Sequence, residues 1–192
     1  MFKIVVGLGN PGRQYAGTRH NVGFDVLLEL ALRHAAGRWG NQFEAETNEI
    51  LLAGQRVLLV APQTYMNLSG RSVRQVVNFY KPPLEDLLVV CDDLNLDCGR
   101  LRMRRSGSAG GQKGLKNIID QLGTNDVSRL RIGIGRPAGG GDTVNYVLAP
   151  FAKSERPTVD EAIRTAADAV EAWVRDGIDQ AMNEFNRGEG GN

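Results

Sequence analysis

Cysteine and histidine are almost absent from this chain of 192 residues, which holds two of each. Cys91 and Cys98 are too few for the disulfide framework of a small secreted domain. No C-x-x-C pair or Cys/His cluster has zinc-ligand spacing, so no metal or other cofactor is expected. Reduced thiols and a cytoplasmic location follow as the expectation. Long apolar runs are missing as well: nothing approaches the ~20 residues that cross a bilayer, and no membrane partner is expected. "FKIVVGLG" is short and runs straight into Asn10-Pro11-Gly12, so it reads as a strand and not as a secretory signal. Ser69, Ser106 and Ser108 lie outside any G-x-S-x-G elbow, which favours water over serine as a nucleophile.

Charge of one sign is scarce overall, with a formal net charge of +1, yet it is unevenly spread. Residues 100–131 carry eight basic side chains against two acidic ones, whereas residues 151–192 carry five basic and nine acidic. A basic stretch of that density can bind a polyanion locally, although clustered charge can also be a plain solvated surface. "GRLRMRR" (99–105) alternates, which sets Arg100, Arg102 and Arg104 on one face of a strand and Leu101 and Met103 on the other.

Strands and helices alternate along the chain. Residues 2–8, 43–52, 56–61, 87–93, 99–105 and 129–136 read as strands. Residues 21–36, 69–80, 112–122 and 154–174 have helical spacing; Pro82-Pro83 stop the second, and Gly177 separates the last from a short piece ending near 185. This pattern predicts an α/β fold: a single-domain three-layer sandwich (residues 1–186), with a mixed, largely parallel twisted sheet and helices on both faces. The tail "RGEGGN" (187–192) is expected to be disordered, and the loop 137–142 is a second candidate for disorder.

In open α/β sheets, ligands collect beyond the carboxyl ends of the strands. That rule brings together Asn10, Gln63–Asn67, Asp92-Asp93 and, ten residues beyond Asn10, His20. "GLGNPG" satisfies G-x-G-x-x-G but lacks an immediate helix and an acidic residue ending a second strand, so a dinucleotide site is rejected. His20 has two readings. It either packs at the start of a helix or, oriented by a carboxylate, takes a proton from water at neutral pH. Asp92, Asp93, Asn10 and Asn67 likewise suit either turns and helix caps or a polar site.

Several segments in series resemble the bacterial peptidyl-tRNA hydrolase family: "GLGNPGRQYAGTRHNVGF" (7–24), "PQTYMNLSG" (62–70), "VVCDDLNLDCGRLRMRRSGSAGGQKGLKNII" (89–119), "RLRIGIGRP" (129–137) and "YVLAPF" (146–151). The resemblance implies a monomeric, metal-independent enzyme that cleaves the ester between a peptide and the 3′-ribose of tRNA, recycling tRNA from chains dropped by ribosomes. By the same resemblance His20 is the general base and Asp92 its orienting carboxylate. Asn10, Tyr15, Met66 and Asn67 bind substrate in one cleft. Arg102 and Arg104 clamp the 5′-phosphate of the acceptor stem, Arg131 adds a further RNA contact, and the 3′-CCA end enters the cleft. One departure stands out, because Gln112-Lys113 occupy positions where the family commonly has His-Asn. Lys113 cannot accept a hydrogen bond, so its expected contribution is positive charge beside the acceptor end. Two rivals are a non-hydrolytic RNA-binding relative and a different esterase or peptidase on a similar scaffold.

Overall fold

Ile4, Val5 and Val6 are fully buried although their side chains alternate between opposite faces of one strand. A strand buried on both sides lies in the middle of a sheet covered on both faces. The structure, a computed structural model, describes residues 2–186; the tail 187–192, for which disorder is expected, lies outside the described residues. Its elements in chain order are β1 (Phe2–Gly7), α1 (Val22–Arg33), β2 (Gly40–Gln42), β3 (Ala45–Leu52), β4 (Gln55–Pro62), α2 (Ser69–Tyr80), β5 (Leu87–Asp93), β6 (Leu101–Arg104), α3 (Lys113–Leu122), β7 (Ser128–Gly133), α4 (Thr143–Val147), α5 (Arg156–Asp176) and α6 (Ile178–Phe185).

The strands form one seven-stranded sheet in the order β2-β3-β4-β1-β5-β7-β6. Pairing is parallel from β4 through β1 and β5 to β7 and antiparallel at both edges. The mixed sheet of the sequence reading is therefore present, with its parallel part confined to the centre. Period-two alternation splits the core in two. Val5, Leu88, Val90 and Leu130 face α1 and α5, while Ile4, Val6, Val89 and Cys91 face α2 and α3.

Helix ends follow local chemistry. Lys81 takes a left-handed conformation (φ 48°) after α2, and the two prolines that follow cannot resume the helix. Gln112 and Asp142 cap α3 and α4 with side-chain oxygens. Residues 137–142 are not featureless: they contain the 3₁₀ turn Ala138–Gly140 and end on the Asp142 cap. Sequence periodicity did not reveal β2 or α4, of three and five residues, because neither spans enough chain to show a period.

Asp25 lies on α1 in a shallow recess against α5, with Oδ2 buried and without a hydrogen-bond partner among the described residues. Burial pushes its carboxyl up to about 6; Arg156 opposes the shift and Asp160 adds to it. The folded pKa thus exceeds the unfolded one, near 3.8. Below that lower value the group is neutral in both states and costs nothing. Between the two values ionisation increasingly favours the unfolded chain, and above about 6 the penalty is constant. Asp25→Asn is expected to raise Tm at pH 8 by about 3 °C and to leave it unchanged at pH 3, measured by thermal melts.

Candidate active site

Because β1, β4, β5 and β7 are parallel, the loops that follow them leave the same edge of the sheet. The chain passes from β4 on one side of β1 to β5 on the other, and such a switch point opens a crevice. A cleft of about 570 Å³ lies there. Asn10 follows β1, Tyr65, Met66 and Asn67 follow β4, and Asp92 and Asp93 end β5. Gly110 to Lys113 lead into α3, while Val144, Val147 and Leu148 form an apolar wall from α4.

His20 reaches this cleft from the buried 3₁₀ turn Arg19–Asn21. Its neighbours hold that turn from both sides. Asn21 Oδ1 accepts from Asn10 N at 2.9 Å, and Asn21 Nδ2 donates to Asn10 O at 3.0 Å. Arg19 donates to the Pro150 carbonyl (2.7 Å) and to Glu155 (2.8 Å), and its guanidinium stacks on the Tyr146 ring at 4.2 Å. The turn carrying His20 is thereby fixed to the segment that forms the α4 wall.

The central geometry is a hydrogen-bonded chain. His20 Nδ1 lies 2.8 Å from Asp92 Oδ2, and Asp92 Oδ1 accepts from Gln112 Nε2 at 3.0 Å. Both His20 and Asp92 are buried. Among the described residues none is hydrogen-bonded to His20 Nε2, so that nitrogen remains for a molecule in the cleft. A neutral imidazole that donates Nδ1–H to a carboxylate carries its lone pair on Nε2, the tautomer of a base. Asn10 Oδ1 accepts the Met66 N–H at 2.7 Å, which fixes the amide and leaves Nδ2 as its spare donor. Asn67 and Lys113 are exposed on the cleft rim, whereas Met66 is buried in its floor.

Asp93 is occupied elsewhere. It pairs with Arg131 Nη2 at 2.8 Å and accepts the Asn95 N–H at 2.8 Å. Cys91 offers no nucleophile, since burial first and the adjacent Asp92 charge second push its thiol far above its ordinary range. Arg102 lies opposite Arg131 and Arg104 opposite Arg129, so the β6–β7 ladder carries four guanidinium groups on one face. Their duties differ. Arg129 is buried and donates to the carbonyls of Val127, Gly107 and Ser108, stapling the loop that leads to α3. Arg102 is half-buried and Arg104 exposed, and among the described residues neither has an ion-pair partner.

Among the expected site residues, His20, Asp92, Asn10, Met66, Asn67 and Lys113 converge on the cleft. Tyr15 does not. The chain turns at Gly12 (φ 106°) into the 3₁₀ turn Arg13–Tyr15, and Tyr15 is not among the cleft-lining residues; its carbonyl accepts from Thr18 instead. Sequence reasoning missed Gln112 as a site residue, along with Asn21 and the α4 wall. The signals were there: Gln112 stands directly before a helical pattern, and Asp142 is a strong helix cap before "TVNYV".

The model of the family described as "Peptidyl-tRNA hydrolase" matches residues 4–191. The chain belongs to the peptidyl-tRNA hydrolase family. The peptidyl-tRNA hydrolase of Rhodopirellula baltica is 51% identical over 188 residues, covering 98% of this chain and 99% of that one. The one from Listeria monocytogenes serovar 1/2a is 43% identical over 185 residues, covering 96% and 99%. The crystal structure of the Acinetobacter baumannii peptidyl-tRNA hydrolase superposes with a TM-score of 0.90 at 36% identity, covering 97% of this chain and 95% of that one. Family membership across the whole chain makes this protein an enzyme, a hydrolase. No helix among the described residues is long and apolar enough to cross a membrane.

Proposed function

We propose that this chain hydrolyses the ester between a peptide and the 3′-ribose of tRNA, with water as the nucleophile and a His20–Asp92 pair as the base. The observation that carries the reading is the 2.8 Å contact from His20 Nδ1 to buried Asp92, with Nε2 left to the cleft. In the first step Nε2 takes a proton from water as the water oxygen bonds to the ester carbonyl carbon. Asp92 stabilises the imidazolium formed and keeps the ring in one orientation. The tetrahedral intermediate then expels the ribose oxygen, which receives the proton from His20. The products are a peptide carboxylate, its own proton released to solvent, and a tRNA with a free 3′-hydroxyl.

The remaining residues supply binding in this scheme. Asn10 Nδ2 and Asn67 hold the ester, Met66 floors the site, and the peptide runs along the apolar wall from Val144 to Leu148. Lys113 adds charge beside the 3′-CCA end, where the family more commonly has an asparagine. Arg102 and Arg104, free of described ion pairs, suit the 5′-phosphate of the acceptor stem, because guanidinium forks match phosphate oxygens in two-point contacts. Arg131 extends that patch while it remains tied to Asp93. Phosphate contacts position an RNA without reading its sequence, as an enzyme acting on many tRNAs requires.

Metal-independent chemistry is part of the proposal. It is supported by the carboxylates' existing duties: Asp92 serves His20 and Gln112, and Asp93 serves Arg131 and the Asn95 amide. A monomer acting in the cytoplasm belongs to the same proposal and rests on the family resemblance alone. The reading is tested by offering one tRNA in two forms, N-acetyl-aminoacylated and plainly aminoacylated, with EDTA present. Release from the blocked form and sparing of the free-amine form are expected. Tight tRNA binding with release from neither form would favour the non-hydrolytic RNA-binding alternative.

A further inference from the structure

We propose that Gln112 is a positioning residue that holds Asp92 as an acceptor on both oxygens and thereby fixes His20 in its base-competent tautomer. The inference rests on the hydrolytic reading of the cleft. Gln112 is buried, and both ends of its amide are engaged. Oε1 accepts the Leu115 N–H at 2.7 Å, and a backbone N–H can only donate, so the amide orientation is forced. The NH₂ end must then face Asp92, where Nε2 donates to Oδ1 at 3.0 Å. An amide NH₂ cannot accept, so a proton on Asp92 Oδ1 would have no partner there. Oδ2 is engaged by His20 Nδ1. With both oxygens accepting, Asp92 presents no donor to His20, so His20 keeps Nδ1–H toward it and an Nε2 lone pair toward the cleft.

Gln112 also joins two scales of structure. The atom that caps α3 and the atom that holds Asp92 belong to one rigid amide, so the start of α3 sets where Asp92 sits. Met66 Sδ lies 3.2 Å from the same Nε2 and fixes it from the cleft floor. Because an amide does not titrate, the restraint is constant across the working pH range. The charged groups around the pair each have a place. Asp93 is paired with Arg131, and Lys113 projects to solvent beside Gln112. Arg136 is held across the rim by the Leu94 carbonyl and Asn95. Behind His20, Arg19 is paired with Glu155, and the Cys91 thiol stays protonated. The α4 wall brings no charge to the cleft.

The test separates capping from positioning. Gln112→Glu retains an oxygen for the Leu115 N–H, so the helix cap survives, but it sets a second carboxylate oxygen against Asp92 Oδ1. Two effects are expected: kcat at pH 7 falls about thirtyfold while KM stays within about threefold, and the acid limb of kcat/KM moves up by about one pH unit. The His20 ring, followed by NMR without substrate, should titrate higher by the same amount, with His34 as the reference; these are the chain's two histidines. An unchanged acid limb and an unchanged His20 titration would overturn the proposal. If Gln112→Glu does not fold, Gln112→Met carries the test. It removes the donor and the α3 cap together without adding charge, so kcat should fall about tenfold at constant KM, with a changed His20 titration in the absence of substrate as the readout a lost cap alone would not move; full kcat would overturn the proposal. Failure of the hydrolytic reading would look different, as wild type that releases nothing, and the substrate-free titration of His20 would still decide the role of Gln112.

Discussion

Asp92→Asn is expected to lower kcat by about 10³-fold at neutral pH and to change KM little. Gln112 Nε2 donates toward one oxygen of Asp92, so an asparagine there must turn its carbonyl oxygen to Gln112 and its NH₂ to His20. His20 Nδ1 would then have to accept, and the ring proton would move to Nε2. A ring protonated at Nε2 cannot take a proton from water in the cleft. The loss is therefore one of tautomer, beyond the loss of a charge that stabilises the imidazolium. The substitution is close to isosteric, and a melting temperature within about 3 °C of wild type would show that the fold is intact. A drop in kcat of less than tenfold would remove Asp92 from the account.

The second large effect is on stability. Gly23→Ala is expected to cost about 3 kcal/mol or more and to lower Tm by roughly 10 °C, read from thermal melts. A Cβ on Gly23 would come within 2.5 Å of Leu8 N and 2.6 Å of both Leu8 O and Val90 O. All three are backbone atoms, and Leu8 N is already hydrogen-bonded to Val90 O at 2.9 Å. They belong to the centre of the sheet and cannot step aside, so α1 would have to lift off β1 and β5. Since α1 begins directly after the turn holding His20, activity should fall along with stability. A Tm within 2 °C of wild type would contradict this packing argument.

Much of this was legible in the residues. Strand 87–93 and helix 69–80 have the bounds the periodicity predicts, because each is a long, strongly patterned run with a clear stop. The convergence of Asn10, Asn67 and Asp92 followed from one topological rule about carboxyl ends. His20 alone leaves both readings open, since a histidine at a helix start packs as readily as it reacts; the contact across 72 residues to Asp92, which sequence does not show, is what supports the proposed base. Arg102, Arg104, Arg129 and Arg131 look equivalent in sequence. Their partners separate them: Arg129 spends its donors on carbonyls and Arg131 on Asp93, while among the described residues Arg102 and Arg104 have no ion-pair partner. Tyr15 is not among the cleft-lining residues, and a turn at a positive-φ glycine leaves no periodic signal of where the chain goes next. In sequence Gln112 is only a departure from the family's usual His-Asn, because its role depends on which way an amide points.

The central claim is that His20 activates water for attack on a peptidyl-tRNA ester. The direct measurement is release of an N-acetyl-amino acid from 5′-phosphorylated tRNA by wild type and by His20→Ala, with EDTA present and at saturating substrate. The account predicts chelator-resistant release by wild type, a fall of at least about 10²-fold in the variant, and little change in tRNA affinity. Release by His20→Ala at a rate within a few-fold of wild type would contradict it.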